Sequence, residues 1–274
     1  MKEISGKQYT YSHTRIILRK IFKAKFSKPY NRDYRQSPYY KGIFRLKMYH
    51  KLNKYQLKYD NENMTITNLE TNEPLLIFSY DETSQQFTAN NVRVWSLTKP
   101  RMIKNTTKVK NSAVGAYSLT TNGVDIITFI ENSKAETLAT TLDLLRKNNP
   151  TGDIILMLDN FPSHKAYIFK KKAKELNIEL LSLPAYSPEL QPVEKVWHTG
   201  KRDISAYKIA NAKNVKKISV EETERILKEE MTKSFHNTVP SKNKWKTILE
   251  DYIKPIIKKL NPTNNLNWEV QNIC

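Results

Sequence analysis

The run DIILMLD at 153–159 constrains this chain's fold more than any other stretch. Its five consecutive apolar residues leave no polar face, and the run is too short for a helix. A strand buried on both sides is the reading that remains. A second apolar run, LLIFSYD at 75–81, also has strand length and also ends in an acid. Strands of this kind need helices to cover them, and the segments between them supply helical periodicity. KAETLATTLDLLRK (134–147) reads as an amphipathic helix, a further helix is predicted from about Ser163 to Leu176, and IELLSL (178–183) as a strand. In SAVGAYSLTTNGVDIITFIE (112–131), Asn122-Gly123 between two β-rich runs predicts a hairpin. The order β–β–β–α–β–α–β–α over 75–208 predicts an α/β fold, a mixed sheet with helices packed on it.

LPAYSPELQPVEKVW (183–197) spends three of the chain's twelve prolines, at 184, 188 and 192. Each lacks an N–H and clashes with a preceding helical turn, so the segment is expected to stay extended after strand 178–183. Pro192 is expected at the first position of a new helix, where its missing N–H costs nothing. Glu194 then falls in the first turn. Trp197, one turn further on, is expected to anchor that helix in the core.

The flanks differ in character. Ser12 is placed to cap a helix over about His13 to Phe26, with Ile17, Ile21 and Ala24 on one face and Arg15, Arg19 and Lys23 on another. Residues 30–42 read as an extended basic linker and 43–60 as a further basic amphipathic helix. At the other end, helices are predicted over 220–235 and 243–259. These patterns suggest three parts: a basic arm and linker (1–70), a sheet-containing domain (71–210) and a C-terminal helical extension (211–274).

The chain carries 46 Lys and Arg against 27 Asp and Glu, a net charge of +19. Residues 1–60 hold sixteen basic and three acidic residues, with nine of the fifteen tyrosines. Cations that displace counterions, interleaved with rings that stack, suit a nucleic-acid backbone. A solvated charged surface is the plainer alternative. No apolar run reaches the ~18 residues of a membrane span, so a soluble intracellular protein is expected. The one cysteine, Cys274, excludes a disulfide within the chain and cysteine-based metal sites.

Asp81 and Asp159 close the two apolar strands, and Glu194 opens the helix after the prolines. Carboxylates at the carboxyl ends of neighbouring strands can converge where open α/β sheets place their sites. Three hard oxygen donors suit Mg²⁺ or Mn²⁺ rather than zinc, and two such ions about 4 Å apart would serve phosphodiester chemistry. Each acid also has a plain structural reading: Asp81 and Asp159 as turn-formers, Glu194 as a complement to the helix dipole.

LDNFPSHKA (158–166) followed by LPAYSPELQPVEKVW resembles the DDE transposases of the mariner superfamily, in particular the prokaryotic insertion-sequence branch. Thirty-four residues separate Asp159 from Glu194, the spacing of that branch. Gln191 stands where the family has asparagine, and Asp81-Glu82 lacks the usual neighbouring glycine. The likeness covers roughly 75–208. It implies an RNase H-like fold with Asp81, Asp159 and Glu194 as the metal-binding triad for two Mg²⁺ or Mn²⁺ ions. Asn160 and His164 then orient water, substrate or a carboxylate. Glu82 reads as an outer acid or a structural partner, the latter preferred.

The resemblance further implies cut-and-paste transposition: cleavage at element ends, then attack of the freed 3′-hydroxyl on target DNA at TA dinucleotides by a DNA-bound homodimer. It also implies a prokaryotic, cytoplasmic, nucleoid-associated protein. DNA-contacting cations are expected at Arg15, Arg19, Lys20, Lys23, Lys28, Arg32 and Arg35. Lys195, Lys201 and Arg202 beside Glu194 read either as phosphate contacts or as plain exposed cations.

Eighty residues precede Asp81, and they resemble only the end of the family's paired helix-turn-helix region. A shortened N-terminus is expected. The six glycines form no GxxxxGK or GxGxxG, which argues against nucleotide hydrolysis. No nucleophile elbow supports a serine hydrolase. The rival from another class is a transposase-derived DNA-binding protein with an idle site.

Overall fold

A computed structural model describes residues 6, 9–24, 34–86, 109–211, 218–237 and 248–260. The chain divides into two compact units, Met1–Tyr34 and Arg35–Cys274.

In the first unit, helix α1 spans Tyr11–Lys20, and the Thr10 side chain accepts a hydrogen bond from the His13 N–H at 3.3 Å. The cap is therefore Thr10 rather than Ser12. The helix ends by Ile21, ahead of Lys23 in the left-handed region at φ 51°. α1 buries none of its residues. The predicted reach to Phe26 lies outside the described residues.

The second unit begins with helix α2 (Tyr40–Leu52), followed by strands β1 (Leu57–Asp60) and β2 (Thr65–Asn68). Helix over 43–60 was expected, but it stops at Leu52. Asp60 ends β1 and its carboxylate accepts from the N–H groups of Glu62 and Asn63, at 2.8 and 3.1 Å. That Asx-type turn reverses the chain into an antiparallel hairpin. The predicted linker over 30–42 is replaced from Tyr40 by the start of α2, and 30–33 lie outside the described residues.

Strand β3 (Leu75–Gln86), β4 (Lys110–Ser118) and β5 (Ile126–Ile130) follow, then helix α3 (Ala135–Asn148) and β6 (Asp153–Leu158). Next come the short α4 (Pro162–Lys165), α5 (Tyr167–Glu175), β7 (Ile178–Ser182), a 3₁₀ turn at Pro188–Leu190 and α6 (Val193–Ala210). Helix α7 (Val220–Asn237), a π-helical turn (Leu249–Ile253) and α8 (Lys254–Leu260) complete the described chain. The expected helix over 163–176 is broken at Ala166, whose backbone is extended at ψ 145°.

The five-stranded sheet has the order β5-β4-β3-β6-β7; β3, β6 and β7 are mutually parallel, and β4 runs antiparallel to both β3 and β5. The β4–β5 hairpin forms as predicted, but seven residues close it rather than a two-residue Asn-Gly turn. Asp125 accepts from the Ser118 N–H at 2.6 Å and fixes that loop.

Strand alternation sorts the core. Leu76, Phe78 and Tyr80, with Leu156 and Leu158, pack under α3 and α5. Leu75 and Ile77, with Ile155 and Met157, face the opposite side. That second face is covered by Val196 and Trp197 of α6 and by Leu227, Met231 and Phe235 of α7. The same cluster takes in Phe44, Met48 and Leu52 of α2, Leu57 and Ile66 of the hairpin, and Leu249, Ile253 and Ile257 at the C-terminal side. One core thus crosses both sequence positions, 70/71 and 210/211, where part boundaries were expected. Gly200 lets α7 approach α6: a Cβ there would lie 2.5 Å from Met231 Sδ. Among the described residues, no helix is long and apolar enough to cross a membrane.

Candidate active site

β3 and β6 pair in parallel with Ser79 opposite Met157. Two residues further on, the register sets Asp81 level with Asp159, just past the end of β6, and strand alternation turns Asp81 toward the face covered by α6. β6 stops at Leu158, whereas β3 continues to Gln86 on the support of β4, with Asp81 opposite Gly115. Asp81 is therefore interior to its strand rather than at the end, as the sequence suggested. It sits where the parallel partner gives out, at the carboxyl end of β6.

The proline segment closes over that gap. It is not extended. Tyr186 takes the left-handed conformation at φ 56°, and Pro188 starts the 3₁₀ turn. Pro192 lies one residue before α6 with its backbone already helical (φ −57°, ψ −34°), so it precedes the first helical position instead of occupying it. Two bonds tie this turn to β3: Gln191 Nε2 donates to the Tyr80 carbonyl at 3.2 Å, and the Val193 N–H to Ser79 Oγ at 3.4 Å. Glu194 is thereby delivered beside Asp81 and Asp159. On the far side, Trp197 is buried with its ring 5.1 Å from that of Phe235, and Gly115 leaves the space both rings fill. Among the described residues the Trp197 indole N–H has no hydrogen-bond partner.

The electrostatics register the convergence. Burial, then the carboxylates of Glu82, Asp159 and Glu194, push Asp81 up to about 8. Burial and the carboxylates of Asp159 and Glu189 also raise Glu194, with Lys201 pulling the other way. Asp159 moves down despite its burial, because His164, the Phe161 N–H and Lys165 favour its ionised form. Among the described residues, no three His, Cys, Asp or Glu side chains stand together in coordinating geometry. The donor set nevertheless fits a hard divalent cation: three carboxylate residues, mutually repelling and without sulfur or imidazole on the same face.

His164 is buried on the opposite face, between the rings of Tyr80, Phe161 and Phe169 at 5.5, 5.6 and 5.4 Å. Its Nε2 lies 2.8 Å from Glu82 Oε1. Its Nδ1 lies 2.9 Å from Asp159 Oδ1, too bent for a well-aligned hydrogen bond. Burial opposes the charge on this imidazole, but the two carboxylates prevail and raise it to about 9. Asn160 is committed to the scaffold: its Nδ2 donates to the Leu183 carbonyl at 2.8 Å, joining the ends of β6 and β7.

The basic residues are dispersed. Arg15, Arg19, Lys20 and Lys23 belong to the first unit, on α1 or just after it. Arg35 belongs to the second, its guanidinium 4.0 Å above the Tyr186 ring. Lys201 and Arg202 lie on α6, Arg202 being 3.6 Å from Asp203. Lys28 and Arg32 lie outside the described residues. Sequence reasoning missed the work of Ser79 and Gly115, which have no signature beyond their neighbourhood, and saw Gln191 only as a motif position without its bond to β3. Glu82 was visible as part of the Asp-Glu pair, yet its partner was not.

A mixed sheet in this order, flanked by helices and gathering carboxylates where its parallel strands end, makes this an RNase H-like protein. The fold matches the crystal structure of the Mos1 mariner paired-end complex with Mn at a TM-score of 0.51 and 17% identity, over 91% of this chain and 76% of that one. It also matches the Mos1 transposase paired-end complex with left transposon end, at a TM-score of 0.50 and 16% identity over the same shares. No curated protein sequence matches significantly. Residues 77–216, just over half of the chain, match the family model described as DDE superfamily endonuclease, and the chain belongs to that family.

Proposed function

We propose that the chain is a DDE transposase in which Asp81, Asp159 and Glu194 hold two divalent ions, Mg²⁺ or Mn²⁺, for DNA cleavage and strand transfer. The observation that carries this reading is the placement of those three carboxylates within the matched segment 77–216: the β3–β6 register sets Asp81 level with the end of β6, and the Gln191 and Val193 bonds to β3 seat Glu194. When bound, the ions supply an activated water or 3′-hydroxyl and stabilise the leaving oxygen. The chain's own residues do the positioning. β3 and β6 set Asp81 and Asp159 in register, the Gln191 and Val193 bonds seat Glu194, and His164 steadies Asp159.

The substrate is the pair of element ends, cut and then joined to a TA target by in-line attack of the 3′-hydroxyl, with a homodimer gripping both ends. Arg15, Arg19, Lys20, Lys23, Lys28, Arg32, Arg35, Lys201 and Arg202 contact phosphate in this scheme. The Mos1 structures are described as complexes with manganese and with a transposon end, which supports the same cofactor class and partner.

The test is incubation of the purified protein with Mg²⁺ or Mn²⁺ and DNA carrying the element's ends, beside Asp159→Asn. Wild type is expected to nick the DNA and the variant to fall to background. If both nick equally, or neither does while both bind, the catalytic reading fails and a DNA-binding role replaces it. Binding that vanishes above about 0.2 M salt marks mainly non-specific phosphate contacts.

A further inference from the structure

We propose that Glu82 is a positioning residue for Asp159, acting through His164 from the opposite face of the sheet. The inference rests on reading Asp159 as a metal-holding carboxylate. Glu82 follows Asp81 directly, so strand alternation turns it away from the triad and toward the side covered by α3 and α5. There its carboxylate meets His164 Nε2 at 2.8 Å.

The imidazole is buried among the rings of Tyr80, Phe161 and Phe169. Its other nitrogen stands 2.9 Å from Asp159 Oδ1, at the mouth of the site. The side chain of Asp159 is 44% exposed, so packing alone does not fix its rotamer. Two contacts do: the His164 ring and the Phe161 N–H, which donates to the same Oδ1 at 2.9 Å. Both come from the Asp159–His164 turn. Both contacts fall on Oδ1.

Glu82 is the less exposed end of the relay and the proposed ligand the more exposed one. Groups that orient a metal ligand in this way are worth about 10–100-fold in metal affinity. The adjacent Asp81 and Glu82 then serve the same site from two faces, one directly and one through the ring.

The experiment compares wild type, Glu82→Ala, Glu82→Gln and Asp159→Asn. Mn²⁺ affinity is read by electron paramagnetic resonance and the His164 ring nitrogens by NMR without metal. Glu82→Ala is expected to shift the His164 Nε2 resonance and weaken Mn²⁺ binding about tenfold. In cleavage assays it should lower kcat with KM for DNA unchanged. Glu82→Gln, whose amide oxygen still accepts from Nε2–H, should recover most of the affinity; it also serves if the alanine variant folds poorly. If Asp159→Asn loses Mn²⁺ while both Glu82 variants bind it as wild type does, the relay is overturned and the site reading stands. If Asp159→Asn binds Mn²⁺ normally, the site reading fails and takes the relay with it.

Discussion

Gly115→Ala probes how firmly the third carboxylate is held. Gly115 lies opposite Asp81 in the β3–β4 register, and an added Cβ there would stand 2.5 Å from Trp197 Cη2 and 2.6 Å from Phe235 Cε2. Carbon atoms pack at about 3.5–4.0 Å, so the two rings must retreat by roughly an ångström. Both side chains are buried, Phe235 completely, and neither has solvent to move into. Overpacking of this kind costs about 1–3 kcal/mol. For a unit of this size, ~2 kcal/mol corresponds to a fall in Tm of roughly 4–8 °C.

The ring that moves is one turn from Glu194 on α6, and a misplacement of about 1 Å at a reacting group can cost on the order of a hundredfold in rate. Differential scanning fluorimetry and the Mn²⁺-dependent nicking assay read the two effects. Trp197→Leu supplies the check: it opens the space the methyl needs, so the double variant should be less destabilised than the sum of the singles by about 1 kcal/mol or more. A Gly115→Ala protein that melts within a degree of wild type, with strictly additive combination, would refute this account of the α6 mount.

Two further predictions concern stability. Burial, partly offset by the Ser118 N–H, raises Asp125 to about 6. The folded chain therefore holds a proton between about pH 4 and 6 that the unfolded chain has released, so this group's contribution to stability falls as pH rises through that window and is flat above it. Asp125→Asn should remove a decline of about 3 kcal/mol, seen as urea midpoints that converge with wild type at pH 4 and exceed it at pH 7; parallel curves would rule the effect out. Arg146 donates to the carbonyls of Leu176, Asn149, Gly152 and Asn177 at 2.9–3.1 Å, binding the end of α3 to the loops flanking β6 and β7. Arg146→Ala should cost about 2–4 kcal/mol. Arg146→Lys should recover little, because an ammonium cannot span that planar set of acceptors; full recovery in a denaturant titration would show that charge alone matters there.

The central sheet and much of the setting of Asp81, Asp159 and Glu194 were legible because each rests on a local signal. DIILMLD has no polar face to expose, and its neighbours carry clean helical periods. Misreadings fell where a tertiary partner decides the local state. Asp81 looked like a strand end because its apolar run stops there, yet β4 extends β3 to Gln86 by backbone pairing that needs no apolar side chains. Helix over 43–60 looked continuous because its basic amphipathic pattern persists. The Asp60 carboxylate turns the chain instead, and Leu57 and Ile66 find burial in a hairpin against α2 and the C-terminal helix.

By itself the sequence determined the strands of the central sheet, most of the helices between them, and the placing of three candidate acids on β3, just past β6 and at the start of α6. Composition, periodicity and motif spacing are properties of the chain as a string. Only the tertiary structure decided the register that sets Asp81 beside Asp159, the two bonds that seat Glu194, and the His164 contact that runs from Glu82 to Asp159. Those depend on which strand stops first, which face a residue turns to, and which ring fills the space at Gly115. Each is a distance between residues far apart in the chain, and such distances exist only after the sheet has closed.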